Sequence, residues 1–170
     1  MKTHSVTLYS PGYREAKTYL AAALFAAGNI ALPQLCHLVQ LGGPTMLPIY
    51  FFTLVGAYKY GWRAGLLTAI ASPLANAAAF GMPSVAALPV ILLKSALLAA
   101  AAGYAAQRFN RVSVALLTAV VLFYQTVGSA GEWALTGSLT AAAQDFRIGI
   151  PGMLLQIFGG YFFIKYVIRN

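Results

Sequence analysis

Apolar residues run along this chain in long blocks, separated by short clusters of Gly, Pro and charged residues, and do not alternate with polar ones. The hydrocarbon core of a bilayer is about 30 Å thick and an α-helix rises about 1.5 Å per residue, so a spanning helix needs about 20 mostly apolar residues. Six blocks reach or approach that length. The pattern predicts six transmembrane helices, at Tyr19–Gln40, Leu47–Tyr60, Trp62–Phe80, Ser84–Gln107, Val112–Ala130 and Ile148–Val167. The second block is short, and Gly61 leaves only a narrow turn into the third. Pro33 and Pro73 interrupt the first and third blocks, which a membrane helix tolerates where neighbouring side chains satisfy the freed carbonyls. The expected fold class is an all-α integral membrane protein, with residues 1–170 forming one six-helix domain. No cleavable signal peptide is predicted, because the first block starts late and is too long for a signal h-region.

Composition agrees with this pattern. The chain is 60% hydrophobic and 8% charged, against about 45–50% and about 25% in soluble domains. So few charges cannot cover a globule in water. The formal net charge of +8 raises the question of nucleic acid, but eleven Lys and Arg residues spread over the whole chain make no phosphate-binding patch. A single cysteine excludes an intrachain disulfide framework and multi-Cys zinc sites. The placement of the charges orients the chain. Lys2, Arg14 and Lys17 precede the first block, and Lys59, Arg63, Arg108, Arg111, Lys165 and Arg169 flank alternate connections and the C-terminus. With six crossings all of these fall on one side, and the positive-inside rule makes that side the cytoplasm, with both termini in it. A multi-pass protein of the cell membrane is expected. The opposite connections are uncharged except the long last one, Gly131–Arg147, which holds Glu132, Asp145 and Arg147.

Polar residues inside the blocks carry the candidate chemistry. Measured from the predicted outer ends, Asn76 lies roughly 6 Å deep, Lys94 roughly 15 Å, Gln125 roughly 9 Å and Gln156 roughly 12 Å. All four fall in the outer half of the bilayer, as residues lining an outward-opening cavity would. Asn and Gln also glue membrane helices together, so for these three both readings stand. A lysine at the depth of Lys94 needs a compensating anion, from a ligand, from Glu132 or from helix carbonyls. Tyr124 and Trp133 read either as interfacial belt aromatics or as site residues, and Glu132 and Asp145 as loop charges. Cys36 and His37 are adjacent on a helix and diverge by about 100°, so a joint metal site is not expected. No HExxH, GxSxG, phosphate-binding loop or paired intramembrane carboxylates occur. Neither an enzyme nor a resident cofactor is therefore expected. Ala23, Ala27 and Ala31 repeat every four residues on the first helix, close to Ala22, Ala26 and Asn29. Such a small-residue face admits a close helix neighbour, either inside this bundle or on another membrane subunit.

These features resemble the S component of an energy-coupling factor (ECF) type vitamin transporter. The likeness rests on the size and six-helix layout, on the alanine face, and on the run His37–Tyr50 with Gly42, Gly43, Pro44 and Pro48. It rests also on Gly56–Leu66, Ser72–Leu74 and Phe80–Pro83. The resemblance implies a high-affinity substrate-capture subunit energised by a transmembrane T component, docked at Ala23, Ala27 and Ala31, and by two cytoplasmic ATPase subunits. It places substrate near the outer side, at Lys94, Gln125 and Gln156, with Tyr124 beside Gln125 and with His37, Gln40, Asn76, Glu132 and Trp133 at the rim. Lys94 favours an anionic vitamin in such a site, while Phe123, Tyr124 and Trp133 leave ring-stacking ligands open. A small stand-alone secondary carrier and a membrane scaffold subunit are the rival readings.

Overall fold

The structure, a computed structural model, describes residues 8–38 and 42–168. Gln40 lies outside the described residues, as do Lys2, His4 and Arg169. The described chain is helical without strands: α1 (Ala16–Cys36), α2 (Gly42–Met46), α3 (Phe51–Tyr60, entered through a 3₁₀ turn at Pro48–Tyr50), α4 (Trp62–Phe80), α5 (Leu88–Phe109), α6 (Val114–Thr136), α7 (Leu139–Ala142), α8 (Gln144–Ile148) and α9 (Ile150–Val167). Four of these, α1, α5, α6 and α9, are long and apolar enough to cross a membrane. The protein is therefore an all-helical membrane protein.

The helix ends follow local chemistry. Ser113 caps α6 by accepting from the Leu116 N–H. Gly81 and Gly137 close α4 and α6 in the left-handed conformation, at φ 67° each, where a side chain would be strained. Asn110 closes α5 in the same way at φ 47°.

One predicted span comes out differently. In place of a helix over 47–60, α3 has ten residues. It is the innermost element, with Leu54, Val55, Ala57 and Tyr58 fully buried and with α1, α4 and α5 packed round it. A helix that is apolar on all sides and enclosed by others has no need to match the bilayer thickness. α4 has the predicted bounds, 62–80, with 19 residues, and spends its polar groups on α1. Thr68 donates to the Ala22 and Ala64 carbonyls, and Asn76 Nδ2 donates to the Asn29 carbonyl at 2.9 Å. That last bond has a clear cause. Pro33 lacks the N–H that would bond Asn29 four residues earlier, and Asn76 supplies the missing donor.

The connections gather at two ends. At one, the Tyr9 N–H donates to the Lys59 carbonyl (2.7 Å), Gln107 donates to Ser10 and Tyr58 donates to the Arg111 carbonyl. The Arg63 guanidinium lies 5.6 Å from the Tyr13 ring there. This basic end also carries Arg108. At the opposite end, residues after α1 meet the α4–α5 turn and the segment between α6 and α9. That last segment, expected as an open loop, is mostly helical: α6 continues to Thr136, and α7 and α8 follow. Gly152 lets α9 press on α2, since a Cβ there would lie 2.4 Å from the Met46 carbonyl.

Candidate functional site

A cavity of about 700 Å³ opens at the end opposite the basic one, within the usual range of about 300–1,000 Å³ for small-molecule sites. Its walls come from the end of α1 (Pro33, Gln34, His37), from α2 and the 3₁₀ turn (Gly43 to Tyr50), and from the Gly81–Ala87 turn. Val90, Ile91 and Lys94 of α5, Glu132 and Thr136 of α6, and Gln144 and Asp145 complete them. Most of this lining is apolar. A groove of about 570 Å³ at the basic end, between Tyr9, Glu15, Leu20, Leu24 and Tyr60, lies on the outer flank of α1. It brings together no buried charged cluster of the kind found in the first cavity.

Lys94 lies in the cavity wall and is neutralised by the protein itself. Its ammonium donates to Glu132 Oε2 at 2.6 Å and to Asp145 Oδ2 at 2.9 Å. The three side chains are 3%, 15% and 12% exposed. Two of the three acidic residues of the whole chain thus converge on Lys94, whereas Lys59, buried at the basic end, has no carboxylate partner among the described residues. Local sequence explains how. Gly128 stands one helical turn before Glu132, and a Cβ there would lie 2.6 Å from Lys94 Cγ, so the missing side chain is the passage by which the lysine crosses α6. Asp145 is turned inward on α8, whose end packs against Leu47: a Cβ on Gly149 would lie 2.9 Å from Leu47 Cδ1. Leu47 itself is held at φ 46°, a costly conformation for a residue that is neither Gly nor Asn. The preference for an anionic ligand drawn from Lys94 is corrected by this geometry, because both of its compensating anions are protein carboxylates.

The other predicted residues separate into groups. His37 and Asn76 line the cavity, with the His37 ring over Gly43, where a Cβ would touch it at 2.6 Å. Gln125 and Gln156 do not line it. They are fully buried on either side of Tyr124, whose hydroxyl donates to Gln156 Oε1 (2.8 Å) and accepts from Gln125 Nε2 (3.0 Å). Tyr124 is therefore no interfacial belt residue. Gln156 sits in a π-helical turn of α9, Leu155–Gly159. Gln125 Oε1, Gln156 Nε2, Ser95 Oγ and Ser129 Oγ are buried without a hydrogen-bond partner. Trp133, 53% exposed, and Phe123 face outward. The aromatic residue that does line the cavity is Tyr50, 5.6 Å ring to ring from Tyr124 and so standing between the cavity and the glutamine pair.

Sequence reasoning missed Asp145 and Tyr50 as site residues. The signal for Asp145 was arithmetic: an intramembrane lysine needs anions, and the chain has three acids. On α1, Ala23, Ala27 and Ala31 face out of the bundle, while Ala22, Ala26 and Asn29 are buried in it. The repeat is thus two faces, one inward and one free. No three His, Cys, Asp or Glu side chains come together as metal ligands among the described residues. Compared with protein families, with curated proteins and with solved structures, the chain finds no match.

Proposed function

We propose that this protein captures a small water-soluble molecule, a vitamin or related micronutrient, in the cavity over Lys94, as the S component of an ECF-type importer of the cell membrane. The observation that carries the reading is the cavity itself: about 700 Å³, mostly apolar, with a buried charge cluster in its wall. An apolar pocket with a few convergent polar groups is the usual form of a small-molecule site. In this reading α3 and α4 complete six crossings, and the basic end is cytoplasmic together with both termini. The outward alanines Ala23, Ala27 and Ala31 dock on a transmembrane T component, and two ATPase subunits supply the energy.

Mass spectrometry of small molecules released from the detergent-purified chain tests capture directly. One compound at near-stoichiometric yield is expected, and empty protein in every preparation contradicts it. Orientation is tested in a Cys36→Ala background. Leu139→Cys should react with an impermeant thiol reagent added outside intact cells and Asn110→Cys should not, while the reverse pattern overturns the topology. Uptake by proteoliposomes holding this chain alone, driven by an ion gradient, would favour a stand-alone secondary carrier instead.

A further inference from the structure

The charge cluster in the cavity wall has one more negative than positive group, Glu132 and Asp145 against Lys94. No other Lys or Arg lines the cavity among the described residues. Arg147, the nearest in sequence, is exposed and outside the lining. Each carboxylate spends one oxygen on the ammonium. The second oxygens, Glu132 Oε1 and Asp145 Oδ1, accept no hydrogen bond among the described residues and are not sealed from the cavity. Ionised acceptors in an apolar, low-dielectric pocket bind charged donors far better than neutral ones and disfavour anions. The rest of the lining, including Leu47, Pro48, Tyr50, Met82, Val90 and Ile91, is suited to an apolar or ring-shaped body.

We propose that the cavity selects small organic cations: ligands with an apolar or heteroaromatic body and a protonated nitrogen head whose N–H groups donate to Glu132 and Asp145. The assignment rests on the capture reading and gives it a substrate class. Lys94 acts as a spacer. It holds the two carboxylates together and leaves the surplus charge for the ligand head.

The test uses three probes that share an indole body and differ in head charge: tryptamine, tryptophol and indoleacetate. Each is titrated by calorimetry at neutral pH into the full chain in detergent. Tryptamine should bind at least about tenfold more tightly than tryptophol, the gain expected for a hydrogen bond to a charged partner, and indoleacetate most weakly of the three. Ala87→Trp, which puts a bulky ring into the cavity lining, should abolish tryptamine binding and so locates it. Glu132→Gln should lower tryptamine affinity about tenfold and bring it level with tryptophol. Equal affinity for the three probes, preference for indoleacetate, no binding of any up to about 10 mM, or an equal loss for all three in Glu132→Gln overturns the assignment. An anion found co-purifying with the chain overturns the cation class and leaves capture standing. Protein that is empty as isolated and binds none of the probes overturns both.

Discussion

Two buried polar clusters sit in this bundle, and they are built on opposite terms. The first joins α1, α3 and α4. Asn29 donates to Thr53 (2.9 Å) and to Ser72 (3.3 Å), accepts from the Phe52 N–H (3.0 Å), and its carbonyl accepts from Asn76. The second joins α5, α6, α8 and α9. It contains the Lys94 ion cluster and, past Tyr50, the Tyr124–Gln125–Gln156 set, where glutamine and serine atoms are left without partners. Buried polar groups are normally paired, and each exception calls for a reason. The first cluster uses up its hydrogen bonds within the protein and acts as glue. The second pairs its charges without balancing them in the cavity wall, and leaves glutamine atoms unpaired behind Tyr50. Both consist of intramembrane polar residues, so residue type alone does not separate them. What separates them is whether the bonds close.

The largest effect should come from breaking the ion cluster. Lys94→Met leaves two carboxylates close together and uncompensated, and should destabilise the folded chain by about 3–5 kcal/mol in a detergent unfolding titration. Replacing all three groups together, as Lys94→Met, Glu132→Gln and Asp145→Asn, should recover most of that loss, because no buried charge remains. If the triple variant is as unstable as the single one, the cluster is not an isolated charge balance.

Asn29→Ala tests the other side of the comparison. It strips partners from the Phe52 N–H, Thr53 and Ser72 and should cost about 2 kcal/mol, with no change in probe affinity at the cavity. A loss of affinity as large as that of Glu132→Gln would erase the distinction between the clusters.

A smaller effect tests the reason given for Asn76. Asn76→Leu should cost about 1 kcal/mol where Pro33 is present. In a Pro33→Ala background it should cost distinctly less, because the restored N–H can bond the Asn29 carbonyl. Equal costs in the two backgrounds would show that Asn76 does not serve the proline break. The smallest effect is expected on the free face of α1. Ala27→Trp should leave stability within about 0.5 kcal/mol, as for an exposed position. In cells it should reduce uptake if this face docks on a membrane partner as proposed. Unfolding of the isolated chain would instead show that this face is packed.

The helical class and the apolar blocks were legible in the sequence because lipid leaves so little choice of backbone. Burial within the bundle was harder to see. Hydropathy cannot distinguish a helix facing lipid from one enclosed by others, so α3 read as a short span and not as the central element it is. Lys94 stood out from chain position, since a charge within an apolar block does, and Glu132 was named only as one of its possible counter-ions and, through the resemblance, at the rim. Asp145 was read as a loop charge because its partner is 51 residues away, and only the fold of α7 and α8 brings it in. Depth along a helix grouped Gln125 and Gln156 with Lys94 as cavity candidates. It could not show that they face Tyr124 and not the cavity, because that depends on rotation about the helix axis.

The central claim, that the Lys94 cluster serves a ligand and the Asn29 cluster serves packing, meets its most direct test in native mass spectrometry of the purified wild type, Asp145→Asn and Asn29→Ala chains. The account predicts one bound small molecule on the wild type, retained on the folded fraction of Asn29→Ala and lost from Asp145→Asn. A bound molecule that persists on Asp145→Asn, or that disappears from both variants alike, would contradict it.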